Sequence, residues 1–205
     1  HATGYWHSRR ITPGVRRLQD ASCAHRRYAS RPDIVEDKGC RRMKARRILV
    51  VTGSRAEFGL LHTTLDALGA HPGIERLLAV TGSHLIGGNP TIREVESEYP
   101  IDAVVEMHHE SEQRTRCSYG LAFARGVEGI TSVLTRLEPD VMLVLGDRVE
   151  VFAAASAAAL LGVRIAHIHG GDVAVGVADD SMRHATTKLS HLHFAATRSS
   201  ADRVL

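Results

Sequence analysis

Apolar residues come in short, uninterrupted runs along much of the chain. The first run, Arg47-Ile-Leu-Val-Val-Thr52, is rich in β-branched residues and ends at Gly53. Runs of this kind are typical of strands that are buried on both faces, as in parallel sheets. The same pattern predicts five further strands, at residues 77–81, 101–107, 140–145, 164–168 and 193–196.

Between these runs the apolar spacing changes to that of helices. In the segment 58–69, one helical face carries four leucines: Leu60, Leu61, Leu65 and Leu68. Further helices are predicted at residues 119–137, 149–161, 181–189 and from Ser199 onward. Strand and helix alternate about six times without a hairpin signal, which predicts an α/β fold with a doubly wound parallel sheet.

Glycine and polar residues follow four of the predicted strands at their carboxyl ends. In doubly wound sheets these ends line the crevice that binds ligands. The sequence therefore predicts one ligand site, built from the stretches Gly53–Arg55, Gly82–His84, Gly146–Arg148 and His169–Asp172.

The charge of the chain is unevenly distributed. Residues 1–47 hold 13 Lys or Arg and 4 Asp or Glu, a net charge of +9, whereas residues 48–205 hold 13 and 19, a net charge of −6. The predicted folded part is thus mildly acidic. The basic overall charge does not indicate a nucleic-acid partner.

The basic segment at the start has the periodicity of neither a helix nor a strand. Because it offers little apolar surface to offset its ordering entropy, we predict a disordered leader over residues 1–43 and one domain over residues 44–205. It also lacks the apolar core of a secretory signal. We interpret Met43 as the natural start, with a transit peptide as the alternative.

The cysteines and the hydropathy suit a cytoplasmic protein. Cys23, Cys40 and Cys117 are odd in number and share no metal-ligand spacing, which favours free thiols in a reducing compartment. No apolar run approaches the roughly 18 residues of a membrane helix, so no membrane contact is expected.

Three aspartates are candidates for acid–base chemistry. Asp147 follows an apolar strand at a glycine turn, where a partly desolvated carboxylate can act as a general acid or base. The alternative is an N-cap of the helix that starts at Val149. Asp179 and Asp180 open the next predicted helix, and ordinary first-turn stabilisation by the helix dipole is the alternative for them.

Two arginines follow the first and fourth strands. Arg55 and Arg148 are candidate ligands of a pyrophosphate leaving group, because the guanidinium fork matches phosphate oxygens. A salt bridge to Glu57 or Glu150 is the alternative role for either arginine.

Other candidates lie among the histidines and on the helix at 181–189. His84 is a candidate sugar or phosphate contact, and Arg183 and His184 are either substrate contacts or helix-surface residues. No cysteine and no fixed ligand grouping accompanies the five histidines of the last 40 residues, so we predict no metal site. They are His167, His169, His184, His191 and His193.

The same stretches resemble, in one collinear order from about Lys44 to Leu205, the hydrolysing UDP-N-acetylglucosamine 2-epimerases of sialic-acid biosynthesis. Each motif alone is weak, but five in order at strand ends are highly specific. The five are Thr52-Gly-Ser-Arg-Ala-Glu-Phe-Gly59, Gly82-Ser-His-Leu85, Gly146-Asp-Arg148, His167-Ile-His-Gly-Gly-Asp172 and Asp179-Asp-Ser-Met-Arg-His-Ala-Thr-Thr-Lys-Leu189.

The resemblance implies a fold and a reaction. Members of the family are similar to GT-B glycosyltransferases, in which two Rossmann-like domains face each other across the substrate, and this chain matches only the first. The implied substrate is UDP-N-acetylglucosamine or a related UDP-sugar. Anti elimination of UDP and hydration would yield N-acetylmannosamine without a cofactor, in an enzyme expected to be a homo-oligomer.

The resemblance also implies roles for particular residues. It assigns acid–base chemistry to Asp147 and to the pair Asp179 and Asp180, with Asp179 as the preferred member of the pair. Some family members carry a catalytic glutamate where this chain has His169. Either His169 itself or Asp172 would then supply that group.

Three rival interpretations accompany the epimerase. A closely related enzyme would act on a 2,4-diacetamido sugar nucleotide. A truncated, non-catalytic fragment would bind nucleotide sugar or dimerise, because the chain stops inside a predicted helix. A dinucleotide-dependent oxidoreductase is disfavoured, since Gly53-Ser-Arg-Ala-Glu-Phe-Gly59 replaces the G-x-G-x-x-G fingerprint.

Overall fold

The computed structural model of the chain describes residues 44–87, 90–109, 115–173 and 178–205, without the side chain of Arg116. The predicted disorder of residues 1–43 lies outside these ranges.

The centre of the fold is a six-stranded sheet whose neighbours all pair in parallel. The strand order is β3-β2-β1-β4-β5-β6, which confirms the predicted doubly wound sheet. The edge strands β3 and β6 have only three residues each and are shorter than predicted. The strands are β1 Arg46–Thr52, β2 Ile74–Thr81, β3 Ala103–Val105, β4 Val141–Leu145, β5 Arg164–Ile168 and β6 Leu192–Phe194.

Six α-helices connect or follow these strands. The helices α1, α3 and α5 each begin three residues earlier than predicted. At α1 and α3 the reason is a cap, because Ser54 and Thr115 accept hydrogen bonds from backbone N–H groups of the first turn. The helices are α1 Arg55–Ala70, α2 Ile92–Glu98, α3 Arg116–Leu137, α4 Val149–Leu160, α5 Ala178–Leu189 and α6 Arg198–Val204.

The two faces of the sheet carry separate apolar cores. Leu49 and Val51 of β1 face α3 and α4, whereas Val50 faces α1 and α2. On α1 the buried stripe contains Leu61 and Leu65, but Leu60 is 62% exposed. The predicted apolar face was therefore wrong at Leu60, which lies about 100° around the helix from Leu61.

The chain reverses direction across the sheet between β1 and β4. From β1 it winds outward through β2 and β3, and it then returns to β4 and continues through β5 to β6. At such a switch point the connections leave the sheet on opposite faces and open a crevice at the strands' carboxyl ends. The loops after Thr52 and Leu145 lie at this crevice.

Two properties concern membranes and metals. Within the described ranges, no helix combines the length and apolar character needed to cross a bilayer. In the same ranges, no three side chains of His, Cys, Asp or Glu are arranged to hold a metal ion.

Candidate active site

The carboxyl end of β4 holds an ion pair between two predicted site residues. Asp147 follows β4, and its carboxylate accepts a hydrogen bond from the guanidinium of Arg183 on α5. Both side chains are largely buried, at 21% and 13% exposure. The capping alternative for Asp147 is wrong, because Arg148 is the N-cap residue of α4 and no side chain bonds the cap.

Arg148 lies between two buried carboxyl groups. Its guanidinium contacts both oxygens of Glu150 at 3.3 Å, and its Nε is 3.7 Å from Oε1 of Glu57. The salt-bridge role predicted as the alternative is therefore present. The Arg148 side chain is still 45% exposed, so it can reach a ligand in the crevice from this position.

Glu57 is an ionisable group in an unusual environment. Its Oε2 accepts the backbone N–H of Gly53 at 2.8 Å, and its buried Oε1 has no hydrogen-bond partner among the described residues. Burial raises the pKa of Glu57 to about 7, against the lowering effect of the Gly53 hydrogen bond. The carboxyl group therefore titrates near neutrality.

Glu150 is even more buried but stays ionised. Burial raises its pKa, yet the hydrogen bond with His108 and the contacts of Arg148 outweigh that effect, and the net pKa is lowered. His108 Nε2 lies 3.5 Å from Oε1 of Glu150. The guanidinium of Arg148 thus lies between Glu57, whose pKa is raised, and Glu150, which is ionised.

The loop after β5 brings His169 and Asp172 together. His169 Nδ1 lies 2.9 Å from Oδ2 of Asp172, and the Ser200 hydroxyl donates to Oδ1 at 2.6 Å. The Ser200 hydrogen bond lowers the pKa of Asp172, burial raises it, and His169 and Arg183 lower it further, so that the net shift is downward. Arg183 is therefore close enough to act on Asp172 as well as on Asp147.

The first turn of α5 holds Asp179 and Asp180, as predicted. His184 Nε2 lies 3.5 Å from Oδ2 of Asp180, one helical turn away. Burial lowers the pKa of the Arg148 guanidinium, but Glu150, Glu57 and Asp179 together raise it above its ordinary value. The contribution of Asp179 places the start of α5 close to the loop after β4.

These contacts gather most predicted site residues at the carboxyl ends of β4 and β5. A family model described as UDP-N-acetylglucosamine 2-epimerase matches residues 66–205. The chain belongs to this epimerase family. The chain spans about two fifths of the length of the curated relatives that it matches, and it corresponds to their N-terminal part.

Two relatives illustrate the similarity of the epimerase domain. A UDP-N,N'-diacetylbacillosamine 2-epimerase (hydrolyzing) of Legionella pneumophila is 38% identical over 163 residues, which cover 78% of this chain and 42% of the relative. A UDP-N-acetylglucosamine 2-epimerase of Neisseria meningitidis is 33% identical over 160 residues, covering 78% of this chain and 41% of the relative.

Solved structures agree on the fold. The crystal structure of UDP-GlcNAc 2-epimerase from Neisseria meningitidis bound to UDP-GlcNAc superimposes with a TM-score of 0.66 at 25% identity, covering 77% of this chain and 42% of that chain. A second UDP-N-acetylglucosamine 2-epimerase structure gives a TM-score of 0.68 at 20% identity, covering 78% and 44%. The epimerase domain is thus the Rossmann-like N-terminal domain of a GT-B-like fold.

Two predicted contacts of the epimerase domain lie apart from the Asp147 and His169 pairs. Arg55 pairs with Glu94 of α2 at 3.0 Å, not with either predicted acid, and its side chain is 74% exposed. His84 is fully buried, and its Nε2 and Nδ1 lie 3.1 and 2.7 Å from the hydroxyl oxygens of Thr52 and Thr91. The ring of His84 therefore presents no unoccupied nitrogen to a ligand.

His167 connects the loop after β4 to helix α5 through two hydrogen bonds. Its Nε2–H donates to the carbonyl of Gly146 at 2.7 Å, and the Thr187 hydroxyl donates to its Nδ1 at 3.2 Å. Burial lowers the pKa of His167, so the ring is neutral. The end of β4 is thereby held against α5, which carries Arg183.

The sequence predicts Glu57 and Glu150 only as salt-bridge partners of the arginines. The structure places both beside the loops that follow β1 and β2, with Glu57 against Gly53 and Glu150 against Gly53 and Gly82. A Cβ atom at Gly82 would lie 2.4 Å from Oε1 of Glu150, and one at Gly53 would lie 2.9 Å from the Glu150 Cβ. Gly53 after β1 and Gly146 after β4 are each followed four residues later by a glutamate, Glu57 or Glu150. This spacing is the signal that could have revealed the two buried carboxyl groups.

Proposed function

We propose that this chain is the domain that carries the acid–base residues of a hydrolysing UDP-N-acetylglucosamine 2-epimerase. The observation that carries the proposal is the ion pair of Asp147 and Arg183, which joins a candidate acid–base group to a candidate substrate contact at the sheet's switch point. The family membership and the Neisseria structure bound to UDP-GlcNAc support the choice of substrate.

The proposed reaction has two balanced steps. A base removes the proton from C2 of the sugar, the C2–H electron pair forms a C1=C2 double bond, and UDP leaves with the C1–O pair. Water then adds, with its oxygen bonding to C1 and a proton returning to C2 on the opposite face. The products are UDP and N-acetylmannosamine, and no redox cofactor is required.

The residue roles follow from charge. Because no carbonyl group activates the C2 proton, the C1–O bond breaks ahead of proton removal and positive charge develops at C1. Carboxylates stabilise that charge, and we assign this role and the proton transfers to Asp147, Asp179 and Asp180. Arg148 and Arg183 are assigned to the pyrophosphate, since guanidinium groups bind it in a bidentate manner.

Five further predicted residues remain to be assigned. His184 borders Asp180 and is proposed to contact the substrate, whereas exposed Arg55 and buried His84 would reach it only after rearrangement. His169 and Asp172 form the remaining acid–base corner of the crevice.

The assay is the release of UDP and the identity of the sugar product. The full-length gene product should convert UDP-N-acetylglucosamine to UDP and N-acetylmannosamine, with one solvent deuterium at C2 when the reaction runs in D₂O. Asp147→Asn should lower kcat at least about 100-fold. Asp202→Asn, at an exposed pair on α6, is the control. Exchange at C2 that is unaffected by Asp147→Asn would contradict the assignment.

A second substrate has its own support. The Legionella relative, at 38% identity, is named for UDP-N,N'-diacetylbacillosamine. The same assay with that sugar nucleotide compares the two kcat/KM values, and the larger one identifies the substrate.

For residues 1–205 alone we expect negligible turnover, because the chain covers about two fifths of its relatives. UDP release by the purified chain would refute that expectation. Binding of UDP-sugar without release would agree with that expectation, and the assay of the full-length gene product then separates the epimerase from a non-catalytic binding module.

A further inference from the structure

An imidazole and a carboxylate on the loop after β5 and a hydroxyl on α6 form a hydrogen-bonded series. His169 Nδ1 contacts Oδ2 of Asp172 at 2.9 Å, and the Ser200 hydroxyl donates to Oδ1 at 2.6 Å. Both oxygens of Asp172 therefore already have a partner. A carboxylate bound in this way is poorly placed to exchange protons with a substrate.

The charge state of Asp172 fixes where the shared proton lies. The Ser200 hydrogen bond and the contact with His169 hold the pKa of Asp172 below its usual range, although burial opposes them. An ionised carboxylate only accepts hydrogen bonds, so the proton between the two groups is on Nδ1 of His169. In the neutral ring, Nε2 then carries the free lone pair.

The backbone holds this geometry from several sides. His169 has φ +66°, a left-handed conformation that is rare and strained for a residue with a side chain. Its N–H donates to the carbonyl of Phe194 at 3.0 Å. Gly171 approaches α6 so closely that a Cβ would lie 2.2 Å from the carbonyl oxygen of Ser200, and Arg203 donates to the Gly171 carbonyl at 2.8 Å.

The start of α6 supplies the last contact. The Thr197 hydroxyl oxygen caps α6 by accepting the Ser200 N–H, and it lies 2.8 Å from the Ser200 hydroxyl. Ser200 is buried and its hydroxyl is therefore held toward Asp172. The loop after β5 and the start of α6 form one hydrogen-bonded unit.

His167 shows the opposite arrangement two residues earlier. Its Nε2 carries the proton, because that nitrogen contacts the carbonyl of Gly146, and its Nδ1 accepts from Thr187. His167 is fully buried, whereas the His169 side chain is 38% exposed. Of these two rings, only that of His169 is exposed to solvent.

We propose that His169 is the acid–base group at this corner of the epimerase site, and that Asp172 and Ser200 are positioning residues that keep its Nε2 free. The inference rests on the proposed function. In the hydration step Nε2 takes a proton from water as the water oxygen bonds to C1. The C1=C2 pair takes a proton at C2 from a second acid, and the imidazolium later returns its proton to solvent.

The state of the two rings can be measured directly on the 205-residue chain. Two-dimensional NMR of ¹⁵N-histidine-labelled protein near neutral pH should show the Nδ1–H tautomer for His169 and the Nε2–H tautomer for His167. Asp172→Ala should shift His169 toward the Nε2–H form and leave His167 unchanged. An Nε2–H tautomer for His169 in the unmutated chain overturns the inference, whether or not the variant folds.

Kinetics of the full-length gene product test the assignment to catalysis. His169→Ala should lower kcat about 100-fold with little change in KM. Asp172→Asn and Ser200→Ala should lower it less, about tenfold and a few-fold, because they misplace the base without removing it. Asp202→Asn, on the same helix as Ser200 but exposed, should match the unmutated enzyme.

The outcomes separate the two proposals. If His169→Ala is as active as the unmutated enzyme, or if Asp172→Asn loses more activity than His169→Ala, the role of His169 is refuted while the epimerase assignment stands. If the unmutated enzyme releases UDP from neither sugar nucleotide, the proposed function fails, and the tautomer measurement still decides the geometry.

Discussion

At the scale of single residues, Glu57 couples the stability of the domain to pH. Its folded pKa of about 7 lies above the ordinary 4.5, so the folded chain binds this proton more tightly than the unfolded chain. Between these two values the folded state holds more protons, and the free energy of unfolding therefore falls as pH rises. The stabilisation of the folded state by the Glu57 proton is complete below about pH 4.5 and is lost above about pH 7.

Glu57→Gln should remove this slope. Gln cannot titrate, so between pH 4.5 and 7 the variant should lose less unfolding free energy than the unmutated chain, by roughly 1–3 kcal/mol. Urea unfolding at several pH values measures the difference. Glu96→Gln, at an exposed position on α2, should keep the unmutated slope. Equal slopes for Glu57→Gln and the unmutated chain would show that Glu57 does not titrate in this range.

The pair of Asp147 and Arg183 links charge to stability. Asp147→Asn leaves a largely buried guanidinium without its counter-charge, and the free energy of unfolding should fall by roughly 1–3 kcal/mol. Adding Arg183→Met should recover part of the loss, because the unpaired charge is then gone. Asp202→Asn, at an exposed pair, should cost less than about 1 kcal/mol. Urea unfolding in which Asp147→Asn and Asp202→Asn cost the same would exclude a structural role for the pair.

At the scale of secondary-structure elements, two glycines allow the energetic cost of backbone strain to be measured separately from the cost of steric crowding. Gly82 and Gly146 follow β2 and β4 and have φ values of +61° and +87°. A Cβ at Gly82 would meet Glu150 at 2.4 Å, whereas one at Gly146 would meet nothing within 4 Å. Gly146→Ala therefore measures strain alone.

Gly146→Ala should lower the free energy of unfolding by roughly 1–2 kcal/mol. Gly82→Ala should lower it by roughly 2–4 kcal/mol, since overpacking against Glu150 adds to the strain. Thermal and urea unfolding of both variants provide the comparison. Equal losses would mean that the loop at Gly82 moves away from Glu150 at little cost.

The elements show what local pattern can predict. The inner strands could be predicted because continuous apolar runs leave few alternatives to a sheet covered on both faces. Helix α2 could not, because Ile92-Arg-Glu-Val-Glu-Ser-Glu98 is mostly charged and only Val95 is fully buried. Ile92 and Val95 are the only apolar residues of the seven, and two positions are too few to define a helical periodicity.

The location of the candidate site and the local contact of Arg148 with Glu57 and Glu150 could be predicted from the sequence, but its long-range pairings could not. The strand ends with glycine and polar residues marked the crevice. The contact of Asp172 with Ser200 joins residues 28 positions apart, and that of Asp147 with Arg183 joins residues 36 apart. Such contacts depend on how α5 and α6 dock on the sheet, which no local pattern specifies.

At the scale of the whole molecule, parallel strands divide the loops into two sets. Every candidate acid–base residue lies at the carboxyl end of a strand or on the helix that follows it. The opposite edge of the sheet carries the connections near Glu138 and Gly162, where the helices α3 and α4 return to β4 and β5. The candidate acid–base residues and the loops that lead from the helices α3 and α4 back to the sheet therefore lie at opposite ends of the strands.

This division offers a place for a reporter. Glu138 is exposed and ends α3 at the edge away from the crevice. A dye attached there through an introduced cysteine, with Cys23, Cys40 and Cys117 all replaced by serine, would leave the crevice sterically free. The same parallel order that gathers the chemistry at one edge thus leaves the other available for labelling, immobilisation or fusion.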